Sequence, residues 1–260
     1  MNRLASTFIA ITALMSSLPA ITTAACETRS APNTVALIEL YTSEGCSSCP
    51  PADRQLNRLS QTLDLTAQVV PLALHVGYWD NLGWVDPYAQ ARFMQRQTWL
   101  AQINRHRTVY TPQFFVGGKE LQAWQGSLRE AVRHLNTMPA AATIRLRSSL
   151  SVDGMLAIDV MATTQGTGDD PTAVYLAVAE NGLLSKVTAG ENRNATLEHD
   201  HLVREWIGPI RLHGNTTHAQ REIRLPSAWH KDRLEIIAFV QDEHTGAVLQ
   251  ALHAGLCTGA

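Results

Sequence analysis

Hydrophobic and polar positions divide the chain into two textures. Between residues 35 and 138, short apolar runs alternate with stretches of helical spacing. Residues 35–41 (VALIELY) read as a buried strand, and residues 42–45 as a turn. Residues 53–65 carry Leu56, Leu59 and Leu63 between charges, which predicts a helix. Residues 69–76 (VVPLALHV) predict a second strand interrupted only by Pro71, followed by an aromatic loop through Tyr78, Trp79 and Trp84. Residues 86–105 read as a polar helix anchored by Phe93, Trp99, Leu100 and Ile103. Thr111-Pro112 opens a third strand over 113–116, Gly117-Gly118 marks a hairpin, and 119–121 return as a fourth strand. A closing helix over 127–135 has Ser127 as N-cap and Glu130 at capping-box spacing.

After residues 138–142 the helical periodicity ends. Seven runs, 143–150, 155–163, 173–180, 197–207, 220–225, 234–241 and 248–253, read as strands separated by Gly, Asp, Asn and Pro turns. That pattern predicts an antiparallel sandwich. The expected organisation is a first domain over 32–138 and a β-rich domain over 143–257.

Residues 1–25 read as an export signal. Arg3 is an early positive charge, Leu4 to Leu18 is free of charge, and small residues lead to Ala25. The stretch is too short and too thinly flanked for a membrane span, and no later segment is long and apolar enough. The expected location is therefore periplasmic or secreted, in an oxidising compartment of a bacterium. Lys and Arg total 21 against 23 Asp and Glu, a net charge of −2 with both signs mixed along the chain. Without a basic stripe, nucleic acid is a poor partner.

The four cysteines are Cys26, Cys46, Cys49 and Cys257, and three pairings are open to them. The economical one joins Cys46 to Cys49 and Cys26 to Cys257, tying the start of the mature chain to its end. The alternative leaves Cys257 free and Cys26 free or lipidated.

Cys46 and Cys49 sit two residues apart where the first strand gives way to a helix. Disulfide exchange needs one thiol able to attack and a second close behind it, and this spacing supplies both. Cys46 is the candidate attacking thiol and Cys49 the resolving one. Pro50-Pro51 suits only a first helical turn, so the regular helix is expected to begin near Pro50 with Cys46 in the loop before it. Glu39 on the first strand, His75 at the end of the second and Thr111 before the third are candidate tuning residues. His199 and His201 would share one face of a strand, a weak metal signal.

The order strand, helix, strand, helix, strand, strand, helix, with CxxC after the first strand and Thr111-Pro112 before the third, resembles the thioredoxin order. Three stretches extend the likeness: 42–53 (TSEGCSSCPPAD), 75–87 (HVGYWDNLGWVDP) and 109–113 (VYTPQ). Over nearly all the mature chain, to about residue 241, the sequence resembles a bacterial secreted thioredoxin-like family of unknown function. The resemblance implies an α/β chain with a thioredoxin-like fold followed by an antiparallel β-sandwich-like C-terminal domain. It implies superfamily roles for Cys46, Cys49 and Pro112, with Thr111-Pro112 cis and facing the disulfide. Glu39 would be the counterpart of a proton-relaying acid, one residue further from the first cysteine than usual. The position after Val76, usually acidic in the family, is Gly77.

Three functions are open at this stage. The first is a thiol–disulfide oxidoreductase with no cofactor, whose partners are protein thiols or disulfides or a redox partner protein. The second is a copper-handling protein using Cys46, Cys49 and His75 as soft ligands, although copper chaperones of this fold space their cysteines one residue wider. The third is a non-catalytic binding protein with a structural Cys46–Cys49 bridge.

Overall fold

The computed structural model describes residues 26–166 and 171–257; the expected signal segment lies outside them. The chain is mixed α/β and mostly sheet. Strand β1 (Cys26–Arg29) and β2 (Ala36–Thr42) precede α1 (Pro50–Asn57) and α2 (Leu59–Thr62). Then come β3 (Val69–His75), α3 (Ala91–Ile103), the hairpin β4 (Gln113–Val116) and β5 (Lys119–Glu120), and α4 (Trp124–Thr137). The second half is β6 (Ala142–Leu150), β7 (Met155–Thr164), β8 (Thr172–Glu180), β9 (Leu183–Lys186) and β10 (Thr196–His199). It ends with β11 (Leu202–Arg211), β12 (Thr216–Arg224), β13 (Leu234–Asp242) and β14 (Val248–Gly255).

One eight-stranded sheet runs through both halves in the order β14-β13-β8-β11-β3-β2-β4-β5. The join is a single parallel contact, Leu202 opposite Ala73, with the Ala73 amide donating to the His201 carbonyl at 2.8 Å. A second sheet, β1-β6-β7-β12, likewise takes β1 from before residue 32 and the rest from after 141.

Alternation on the strands decides what covers each face. Leu37 and Tyr41 of β2 join Tyr175, Phe239, and Phe93 and Leu100 of α3 in one core. Ile38 and Leu40 face the other way, onto Ala52 and Leu56 of α1 and Leu128 and Val132 of α4. On that same side the outer half of the sheet, through Leu176 and Ile236, packs on Leu146, Ile158 and Val160 of the second sheet. Covering on both faces is why β2 and β8 read as unbroken apolar runs. Pro71 is tolerated in β3 because β11 meets that strand only at Ala73, so the missing amide deprives no partner. The gap there is a cleft of about 690 Å³ lined by residues that include Val69, Pro71, His201 and Leu252.

Several expectations change. The helix over 53–65 starts at Pro50, as the two prolines require, and breaks at Arg58 (φ −111°, ψ 22°) into α1 and α2. The closing helix starts a turn early, at Trp124, which packs on Phe114 with ring centroids 5.2 Å apart; Ser127 is therefore interior and not the N-cap. The single strand over 197–207 is two strands in different sheets. His201 adopts φ 57°, and its amide is held by Asn181 Oδ1 at 2.7 Å. That kink overturns the shared-face reading of the two histidines: His199 is buried, while His201 pairs with Glu235 at 3.8 Å.

Candidate functional site

The pair Cys46–Cys49 is disulfide-bonded, and so is Cys26–Cys257 across 231 residues. The second bond leaves Cys26 no free thiol to carry a lipid. The chain-entropy relation gives a closure of that length about 5 kcal/mol at most.

The Cys46–Cys49 loop is built by local hydrogen bonds. The Cys46 amide donates to the Ser43 carbonyl and the Cys49 amide to the Cys46 carbonyl, both at 3.2 Å. Cys49 is the N-cap of α1, and its carbonyl accepts from Ala52 and Asp53. Pro50 and Pro51 occupy the first turn and bring no N–H, so this helix start has few amides to offer a thiolate. The Ser48 hydroxyl lies 3.3 Å from Cys46 Sγ. The Ser47 amide is already taken by Glu191 Oε2 at 3.0 Å.

Thr111-Pro112 is a cis peptide, and the Thr111 carbonyl lies 3.9 Å from Cys46 Sγ. Trp79 spans the space between these loops. Its indole N–H donates to Thr111 Oγ1 at 2.7 Å, and its Cβ lies against Gly45 so closely that a Cβ on Gly45 would sit 3.0 Å away. Both cysteines are 0% exposed.

Beneath the loop lies a buried polar bed. His75 Nδ1 pairs with Asp86 Oδ2 at 2.7 Å, and the same oxygen accepts the Glu44 amide at 2.8 Å. The Glu44 carboxylate accepts from the Trp84 indole at 2.8 Å and pairs with His199 Nε2 at 2.9 Å. The rings of His75 and His199 meet edge to face at 4.9 Å. Burial alone would lower the His75 imidazole, but the Asp86 charge and hydrogen bond outweigh it and hold its pKa above the usual value. Burial would raise Asp86; His75 and two backbone amides bring it below the usual carboxylate range. Asp53, one helical turn past Cys49, is pushed up by burial.

Glu39 lies elsewhere. It points to the face of β2 that carries Tyr41, away from α1, and is held by Arg96 at 2.6 and 3.0 Å. Arg96 sits among the rings of Trp206, Tyr175, Phe239 and Trp99, 4.8 to 5.5 Å from each centroid. Burial opposes its charge, yet the Glu39 carboxylate raises the guanidinium pKa further.

The geometry thus brings Cys46, Cys49, Thr111 and Pro112 together. It sets His75 in the bed with Asp86 and commits Glu39 to Arg96. Among the described residues, no group of three His, Cys, Asp or Glu side chains is arranged to hold a metal. Sequence reading missed Glu44, Asp86 and the loop between β9 and β10. Asn192 Nδ2 of that loop donates to the carbonyls of Glu44 at 2.8 Å and Cys46 at 2.9 Å. Glu44 and Asp86 stood inside the quoted motifs, whereas nothing near Glu191-Asn192 pointed to cysteines more than 140 residues away.

Comparisons with known proteins agree on family and fold. A crystal structure of a protein from Agrobacterium tumefaciens is 24% identical, covers 86% of this chain and 95% of its own, and superposes with a TM-score of 0.59. HBP35 of Porphyromonas gingivalis is 14% identical over 87% of this chain and 76% of its own, with a TM-score of 0.66. Both likenesses concern the fold alone. No curated protein matches. The family model described as "Protein of unknown function (DUF1223)" matches residues 37–241, and the chain belongs to that family.

Proposed function

We propose that the protein is an exported thiol–disulfide oxidoreductase acting in an oxidising compartment, periplasmic or outside the cell. Cys46 is the attacking thiol and Cys49 the resolving one. The observation that carries this reading is the meeting of the Cys46–Cys49 disulfide with the Thr111-Pro112 loop, 3.9 Å from Cys46 Sγ to the Thr111 carbonyl. A peptide thiolate attacking Cys46 Sγ forms a mixed disulfide and expels Cys49 as a thiolate. In the reverse sense Cys49 resolves the mixed species. The order of β2, α1, β3 and the β4–β5 hairpin supports a thioredoxin-like arrangement for the first half.

Glu39 is not given a proton-relay role, because its carboxylate neutralises Arg96 in a box of aromatic rings. Copper handling draws no support from the arrangement, because no group of three His, Cys, Asp or Glu side chains among the described residues is placed to hold a metal. A structural bridge is the competing reading, and the full burial of both cysteines favours it.

Trapping separates the two. Cys49→Ser, incubated with an unfolded polypeptide containing disulfides, should accumulate a stable mixed disulfide through Cys46. Cys46→Ser should form none. Equal trapping by both variants, or none by either, would reject the assignment.

A further inference from the structure

A disulfide is opened by a thiolate arriving in line with the S–S bond, so the attacked sulfur needs an open side. Cys46 has none here, being 0% exposed although Ser47 and Ser48 beside it are exposed. Two groups from different parts of the chain border the loop that carries it. Trp79 stands across the mouth of the site from Gly45 to Thr111, pinned by its bond to Thr111 Oγ1. The β9–β10 loop clasps the other side. Asn192 ties the carbonyls of Glu44 and Cys46, and Glu191 holds the Ser47 amide. Gly190 (φ 69°) makes the approach possible, since a Cβ there would lie 3.0 Å from Trp84 Cβ.

The clasp holds backbone groups of the redox loop, and Trp79 holds the residue beside Pro112. A free small thiol carries no peptide backbone to replace those bonds. An extended polypeptide brings N–H and C=O groups of its own, which can pair with Thr111 and the freed loop.

We infer that Trp79 and the Glu191–Asn192 clasp determine specificity, closing the Cys46–Cys49 disulfide to free small thiols and yielding to an extended polypeptide strand. The inference rests on the redox reading above and adds the substrate class. In the step concerned, a dithiol loses two electrons and two protons and becomes a cyclic disulfide. The protein gains them as the Cys46 and Cys49 thiols.

The test compares two reductants on the oxidised mature protein: dithiothreitol, and a short unstructured peptide carrying two cysteines. Rates per thiolate are read by alkylation and mass spectrometry. If opening limits access, the peptide should react about tenfold faster than dithiothreitol in the wild type. Asn192→Ala and Trp79→Ala should each speed dithiothreitol by about threefold or more and narrow that ratio. If Trp79→Ala does not fold, Trp79→Phe, which keeps an aromatic ring but loses the indole N–H and its bond to Thr111, takes its place. Equal rates for the two reductants in the wild type, or unchanged dithiothreitol rates in both variants, would overturn the inference. The equilibrium potential measured on the same samples is a separate readout. A pair that stays oxidised at equilibrium with excess reduced dithiothreitol would fail the redox reading whatever the gating rates show.

Discussion

The two disulfides differ in what surrounds them. Cys26–Cys257 joins β1 to the residues after β14, closing a loop of 231 residues, and it stands apart from the buried polar bed. Cys46–Cys49 closes a separation of three. Its loop is gripped by Asn192, Glu191, Trp79 and Asp86, which come from two other stretches of chain, the β9–β10 loop and the β3–α3 connection. Cross-linking gains grow with loop length. The long bond is thus suited to stability, whereas the short one gains little from loop closure and is held by contacts from distant parts of the chain.

The largest effect separates the two directly. Replacing Cys26 and Cys257 with Ser should cost up to about 5 kcal/mol in urea unfolding, while replacing Cys46 and Cys49 should cost about 2 kcal/mol or less. Similar losses would erase the distinction. Next is the ion pair on the far face of β2. Arg96→Met leaves the Glu39 carboxylate buried and unpaired and should cost about 3–5 kcal/mol. The Cys46–Cys49 potential should stay where it is in any folded fraction, and a shift would return Glu39 to the redox site.

The bed beneath the loop gives a smaller, pH-dependent effect. His75 has a raised pKa, so its contribution is complete below its unfolded value of about 6.5 and is lost as pH rises through the folded one. Asp86 has a lowered pKa, so its contribution is complete above about 3.9 and is lost as pH falls through the folded one. Asp86→Asn should therefore cost most, about 2 kcal/mol, between roughly pH 4 and 6.5, with a smaller gap on either side. A gap independent of pH in unfolding curves would contradict the charged pair. Smallest is Ser48→Ala, which removes the hydroxyl 3.3 Å from Cys46 Sγ and should slow iodoacetamide alkylation of Cys46 in the reduced protein by about twofold. Mass spectrometry of the alkylated protein reads this, and an unchanged rate would free Ser48 of that role.

What was legible in the chain was local. Apolar runs and turn residues carried the strands, Pro50-Pro51 carried the helix start, and CxxC with Thr111-Pro112 pointed to residues that the fold brings together. What stayed hidden depended on partners far along the chain. Arg96 meets Glu39 across 57 positions, and Asn192 meets Cys46 across 146. The break between β10 and β11 rests on one positive φ at His201, which an apolar pattern does not register. Strand β9 is four residues long and needed its hairpin partner β10 to be visible.

The central claim is that Cys46–Cys49 is a redox pair and not a fixed bridge. The most direct measurement is its reduction potential in the folded mature protein, by equilibration with graded dithiol buffers and mass spectrometry of trapped thiols. Known thiol oxidoreductases span about −120 to −270 mV. With prolines in the first turn of α1 and the Ser47 amide held by Glu191, the Cys46 thiolate has little stabilisation, which puts the predicted value toward the −270 mV end. A reversible two-electron transition in that range is the predicted result. A pair that stays oxidised to below about −300 mV would be a structural disulfide and would contradict the account.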